Sequence, residues 1–342
     1  MLLTVGLTDF LSQLRAYIDM GCSGLVYGYC LDGQGGGQVI KPEDVADTLP
    51  TDQLTWLHFD YTHADTQQWI TEHSQLDQVV IDALLTEESR PRSTQVGDGL
   101  LIALRGVNVS PDSDPEDMVG IRIWIDKQRI ISTRRRHMLA AKDMVEALAA
   151  GIGPTSPGDF LAMLSAALMV RMQDTINDTE DAVDSIEEEL VSSSSYDLRN
   201  KISAVRRVVI SLRRYLAPQR DALLQMHQTR VPWITEGDRQ QLREVTDTLI
   251  RYIEDLDSAR DRAAVAQEEL SNRLAEQMNS RMYLLSLVAA VFLPLGFFTG
   301  LLGINVGGMP GAENPWAFWI VSGFMSITVA IQVWLFKRKN WF

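Results

Sequence analysis

Residues able to bind or pass a cation are spread thinly along this chain. It holds five histidines and two cysteines. Cys22 and Cys30 form no Cys-x-x-Cys pair and are too few for a disulfide framework. His58 and His63 fall near a predicted strand end, and His73 closes a short predicted helix. His137 follows Arg134-Arg135-Arg136, whose charge repels a cation. Scattered structural histidines are the simpler reading, so the metal-ligand set is left unknown. No nucleophile elbow, phosphate loop or paired metal-ligand motif appears, which leaves no enzyme class and no resident cofactor to argue for. Gly33-Gln-Gly-Gly-Gly37 runs into Val39-Ile40-Lys41-Pro42 instead of a helix start, and reads as a turn. What remains is Gly303-Ile304-Asn305, a turn between two apolar stretches, and Glu313, the single acid after residue 280. An Asn beside a glycine is also an ordinary helix C-cap.

The elements that must position these residues change character along the sequence. Four of the 31 basic residues and one of the 45 acidic residues lie in 281–342, which leaves 27 against 44, a net charge of −17, on residues 1–280. The acidic part is therefore the soluble part. Its field repels nucleic acid and attracts cations, although an acidic balance is also ordinary for soluble proteins. Residues 1–20 lack a basic start and an apolar core, so no cleaved signal peptide is expected. Residues 1–157 read as an α/β domain: β-rich runs at 24–31, 54–60, 100–109, 119–125 and 129–133 alternate with helical spacing at 64–73, 77–86 and 138–150.

Residues 158–281 are rich in helix formers. Spans 159–191 and 197–228 predict a helical hairpin, with Pro218 as a kink and a Ser192–Ser195 break. The first arm is acidic and the second carries six arginines, so antiparallel pairing would join opposite charges, or both would simply be solvated faces. From 238 to 293 the chain has no Gly or Pro before Pro294, and apolar residues recur at three-and-four spacing from Leu242 to Leu274. This predicts a rod about 84 Å long. Its alanines at 259, 263 and 266 suggest close packing against neighbouring copies.

The rod continues into residues 282–304, a first membrane span, followed by an external loop at 305–315, a second span at 316–336 and a basic tail at 337–342. Each uncharged stretch matches the ~20 residues needed to cross a bilayer. Arg281 before the first span and Lys337-Arg338-Lys339 after the second put both termini in the cytoplasm. Trp316, Trp319, Trp334 and Trp341 suit the interfacial belts.

Together these features resemble the CorA superfamily of divalent cation transporters, whose first membrane helix ends in Gly-Met-Asn; here the triplet is Gly303-Ile304-Asn305. The continuation Val306-Gly307-Gly308-Met309-Pro310-Gly311 is similar to the ZntB branch, described as zinc transporters. Leu293-Pro294-Leu295, Phe297 and Thr299-Gly300 match the family's first membrane helix. Arg90-Pro91-Arg92, Leu104-Arg105-Gly106-Val107-Asn108, Pro115-Glu116-Asp117-Met118 and Ser132-Thr133-Arg134-Arg135-Arg136 resemble segments of the ZntB cytoplasmic domain. The resemblance implies a homopentameric funnel in a bacterial inner membrane, with five first spans around one pore.

On that reading, Asn305, Leu293, Met282 and Asn279 fall on the family's pore positions, with Gly296 and Thr299 in neighbouring turns. Five Asn305 carbonyl dipoles would suit a cation that keeps its inner water shell. A dehydrated Zn²⁺ needs His, Cys or carboxylate ligands, and none lies between Met282 and Ala312. Zinc would then cross hydrated, or the branch label does not hold and the cargo is Mg²⁺, Co²⁺ or Ni²⁺. The branch also implies proton coupling. Neither span carries an ionisable group, so protons would use water, Glu313 or cytoplasmic groups. The Mg²⁺ branch usually has an acid directly after the loop proline, where this chain has Gly311. Glu313 is then either a shifted ring of charge at the entrance or a plain loop residue. Residues 285–293 form a broad apolar stretch suited to a dewetting gate. A membrane-anchored scaffold or sensor is the third reading, for which the triplet would be unnecessary.

Overall fold

The computed structural model describes residues 24–47, 53–87, 90–108, 114, 116–192, 196–303, 311 and 313–338. The chain divides into two units, Met1–Gln267 and Glu268–Phe342. The first unit holds strands β1 (Leu25–Leu31), β2 (Gly37–Val39), β3 (Thr55–Asp60), β4 (Arg92–Val96), β5 (Gly99–Gly106), β6 (Val119–Ile125) and β7 (Arg129–Arg134). Its helices are α1 (Ala64–Glu72), α2 (Gln78–Leu85), α3 (Leu139–Ala149), α4 (Pro157–Ser192) and α5 (Tyr196–Gln228). Helix α6 (Glu236–Leu302) is shared by both units, and α7 (Ala317–Arg338) belongs to the second.

The strands form one sheet in the order β2-β1-β3-β7-β6-β5-β4. Every junction is antiparallel except β3 with β7, which pair in parallel from Thr55 opposite Arg129 to Asp60 opposite Arg134. Successive side chains on a strand point to opposite faces, and β3 is buried on both. Leu57 and Phe59 join Trp69, Ile70, Val80, Ile81 and Leu84 in the core under α1 and α2. On the other face Trp56 meets Phe160 of α4 edge-on, with ring centroids 5.1 Å apart. Gln219 of α5 accepts the Arg105 backbone N–H of β5 at 2.7 Å, and the Trp233 indole donates to the Asp98 carbonyl at 2.7 Å. Helices on both faces explain why β5 reads as an unbroken apolar run, Leu100-Leu101-Ile102-Ala103-Leu104, instead of an alternating one.

Two strands escape the sequence pattern. β2 is three residues long, and β4 is the polar edge strand Arg-Ser-Thr-Gln-Val. The glycine run before β2 is the turn expected of it and closes the β1–β2 hairpin: Gly33 and Gly35 take φ of 72° and 98°, and the Asp32 carboxylate accepts the N–H groups of Gln34 and Gly36 at 2.7 and 3.0 Å.

Helix α6 starts in a capping box. The Asp238 carboxylate accepts the Thr235 N–H at 2.8 Å, and the Thr235 hydroxyl accepts the Asp238 N–H at 3.2 Å. The buried stripe expected along it is present from Leu242 through Leu249, Leu256, Ala263 and Ala266 to Leu270. Leu274 is only half-buried. Two expectations are corrected here. The alanines at 259, 263 and 266 are at most 2% exposed in the single chain, so they pack inside one protomer and not between copies. Among the described residues, the acidic arm α4 and the basic arm α5 share one salt bridge, Lys201 with Glu189. Other ion pairs run from the two arms to α6: Arg262 holds Asp184 and Glu187 of α4, while Arg213 of α5 pairs with Asp257 at 3.0 Å. Pro218 lies inside α5, which stays one helix.

Candidate ion pathway

Two helices carry a stretch long and apolar enough to cross a membrane, Glu236–Leu302 and Ala317–Arg338, and neither stretch is buried within the chain. Among the described residues after Arg281, the charged side chains are Glu313, Lys337 and Arg338. Arg338 lies over the Trp334 ring, 5.3 Å from its centroid, a pairing suited to a membrane interface.

Beyond Arg281, the partly buried positions of α6 are Leu287, Val291, Pro294, Leu295 and Phe298, a helical stripe that marks the face toward α7. Phe298 meets Phe324 edge-on at 5.3 Å, and the Gln332 amide donates to the Ala290 carbonyl at 3.3 Å. At about 100° per residue, Met282, Leu293, Gly296 and Gly300 point about 140–200° away from Val291. These four positions therefore share the face opposite the second span. Asn279 and Gly303 sit about 120° off, and Thr299 only about 80°, on the flank. Met282 and Leu293 are 61% and 71% exposed, respectively, so this face has no partner among the described residues.

Thr299 is engaged locally, its hydroxyl donating to the Leu295 and Gly296 carbonyls at 3.0 and 3.1 Å. The Gly303 N–H donates to the Thr299 carbonyl at 2.9 Å, and a Cβ at Gly303 would lie 2.8 Å from that same oxygen. Only glycine closes the helix end in this way. Ile304 and Asn305 lie outside the described residues, as do most of the 305–315 loop and the tail beyond Arg338. Past them, Gly311 takes φ of 86° and Glu313 is exposed. The Asn314 side-chain oxygen accepts the Trp316 N–H at 3.0 Å, an N-terminal cap for α7. Asn314 and Gln332 are the two residues that sequence reasoning passed over. An Asn ahead of a Pro and an apolar run is a start signal, and Gln332 is the single amide side chain in α7.

No group of three or more His, Cys, Asp or Glu that could hold a metal occurs among the described residues. His58 is a core residue. Its Nδ1 lies 2.8 Å from the Ser132 hydroxyl, which also accepts the Trp56 indole N–H at 2.9 Å. Its pKa is pushed down to about 3, first by burial and then by Arg134 and His137. His63 and His73 flank α1 as its end residues. Burial, then Arg134 and Lys142, lowers the His137 pKa. Cys30 donates to the Gln53 side-chain oxygen at 2.9 Å, and Cys22 lies outside the described residues.

The family described as "CorA-like Mg2+ transporter protein" matches residues 51–338. A divalent cation transporter of Pseudomonas aeruginosa, CmaX, is 39% identical over 96% of this chain and 100% of its own length. The zinc transport protein ZntB of Yersinia enterocolitica is 38% identical over 93% of this chain and 96% of its own. The solved structure of full-length CmaX superposes with a TM-score of 0.81 at 38% identity, covering 93% of this chain and 98% of that one.

Proposed function

The chain belongs to the CorA-like family of divalent cation transporters, and from that premise we propose that it takes up Zn²⁺ through an axial pore lined by α6. The observation that carries the pathway is the segregation of α6: one face packs on α7, and the opposite face, Met282, Leu293, Gly296 and Gly300, is uncharged, exposed and leads to Gly303 and the Asn305 that follows. In a homopentamer in the bacterial inner membrane, with both termini cytoplasmic, five such faces meet on the axis. Asn305 carbonyls at the outer mouth hold a hydrated cation, with Glu313 concentrating cations nearby. Residues 1–157 form the α/β domain, 158–281 the helical hairpin and stalk, 282–304 and 316–336 the spans, 305–315 the loop and 337–342 the tail. Protons, where they couple to uptake, pass through water, Glu313 or cytoplasmic groups.

A Mg²⁺ channel is the second reading, favoured by the ligand chemistry. Oxygen dipoles without His or Cys suit a magnesium ion that keeps its waters. A scaffold or sensor would require hydrophobic spans alone. Flux of Zn²⁺, Mg²⁺ and Ni²⁺ into proteoliposomes, with and without a pH gradient, separates these readings. Zinc flux is expected to exceed magnesium flux and to fall in Asn305→Ala. Equal zinc flux in variant and parent sinks the pore assignment, and magnesium flux above zinc selects the second reading.

A further inference from the structure

Pro294 sits inside α6 and has no N–H, so the Ala290 carbonyl four residues earlier lacks its usual helical donor. In a bilayer core no water is at hand to replace it. The structure supplies a donor from the other span: the Gln332 side-chain amide lies 3.3 Å from that carbonyl oxygen. Gln332 is the single amide side chain of α7, and its own oxygen is buried without a partner among the described residues. Its nitrogen is therefore the half of the amide that is used. Beyond the break, α6 is weakly held: Gly296 and Gly300 follow, and the Thr299 hydroxyl competes for the Leu295 and Gly296 carbonyls.

We propose that Gln332 is a positioning residue for transport: it fills the hydrogen-bond gap left by Pro294 and so fixes the direction in which the terminal turns of α6, from Leu295 to Gly303, approach the pore mouth. The role rests on the pathway proposed above, but the contact can be tested apart from it.

The test is a double-mutant cycle in which Pro294→Ala restores the missing N–H and makes Gln332 dispensable. In the Pro294 background, Gln332→Leu should lower maximal zinc flux about three- to fifteenfold, the range spanned by side-chain hydrogen bonds between membrane helices. Apparent KM should stay constant, since Gln332 touches no ion. In the Pro294→Ala background the same substitution should change flux less than twofold. Amide hydrogen exchange of the 291–303 segment in detergent follows the contact whatever the route of the ion: it should quicken in Gln332→Leu and not in the double variant. Equal losses of flux in both backgrounds, a raised KM, or unchanged exchange in Gln332→Leu would each overturn the assignment. If exchange responds as expected while Asn305→Ala leaves flux untouched, the clamp stands and the pore reading fails.

Discussion

The buried His58 makes the first unit acid-sensitive in a calculable way. An unfolded His58 takes up a proton below about pH 6.5, whereas the folded one resists until about pH 3. Between those values the unfolded chain binds more protons, so stability is fully present above pH 6.5 and drains as pH falls toward 3. The slope is about 1.4 kcal/mol per pH unit, which amounts to about 3 kcal/mol at pH 4.5. For a unit of this size that corresponds to a fall of about 5–10 °C in unfolding temperature. The perturbation is His58→Leu. It removes the titrating ring but leaves the Ser132 hydroxyl able to donate to the Leu57 carbonyl, 3.4 Å away, while still accepting from Trp56. The variant should be less stable than the parent at pH 7.5, because packing against Tyr27 is lost; the rings stack at 5.7 Å. Between pH 7.5 and 4.5, however, its melting temperature should fall less than the parent's by that 5–10 °C. Tryptophan fluorescence melts of the detergent-solubilised protein measure both. Parallel curves for parent and variant would refute the linkage, since they would place the acid sensitivity elsewhere.

Leu293, 71% exposed on the face away from α7, should act as a hydrophobic constriction, so Leu293→Ala should raise basal cation leak in proteoliposomes; unchanged leak would argue against a gate there. Glu313→Gln should raise the apparent KM for divalent cations a few-fold at low ionic strength and lose that effect in high salt. A salt-independent change would point to direct ligation instead. Ala263 is fully buried between the helices of one protomer, so Ala263→Leu should cost about 1–3 kcal/mol in a chemical melt without altering subunit number. A change in oligomer size in light scattering would return that stripe to the subunit interface.

Much of this architecture was legible because period and composition carry it. The α/β alternation, the long helices and the two uncharged spans follow from apolar spacing alone, and the boundaries of α1, α2 and α3 differ from expectation by a residue or two. β4 was hidden because an edge strand buries little, and Arg92-Ser93-Thr94-Gln95-Val96 shows only Ser93 fully buried. The alanine stripe misled for a different reason. Small residues announce burial but not the identity of the neighbour, and here the ion pairs of Arg262 with α4 and Asp257 with α5 bracket that stripe within one chain. The candidate pore face was visible as spacing, yet its segregation from α7 needed Phe324 and Gln332 in position. Nothing in a linear reading links Pro294 to a glutamine nearly forty residues later. Such pairings depend on which faces of two helices meet.

The parallel contact between β3 and β7 also governs how the protein is made. β3 is buried on both faces, yet its β7 neighbour begins only at Arg129, with α1, α2 and three further strands translated in between. At about 5–20 residues per second, β3 waits about 3–14 s before that edge can be covered. Throughout that interval Trp56, Leu57 and Phe59 form an apolar ribbon with one open row of backbone donors and acceptors, the form most prone to pairing with a stranger. Nascent chains should therefore be most vulnerable to aggregation, and most in need of a holding chaperone, well before the first membrane span leaves the ribosome.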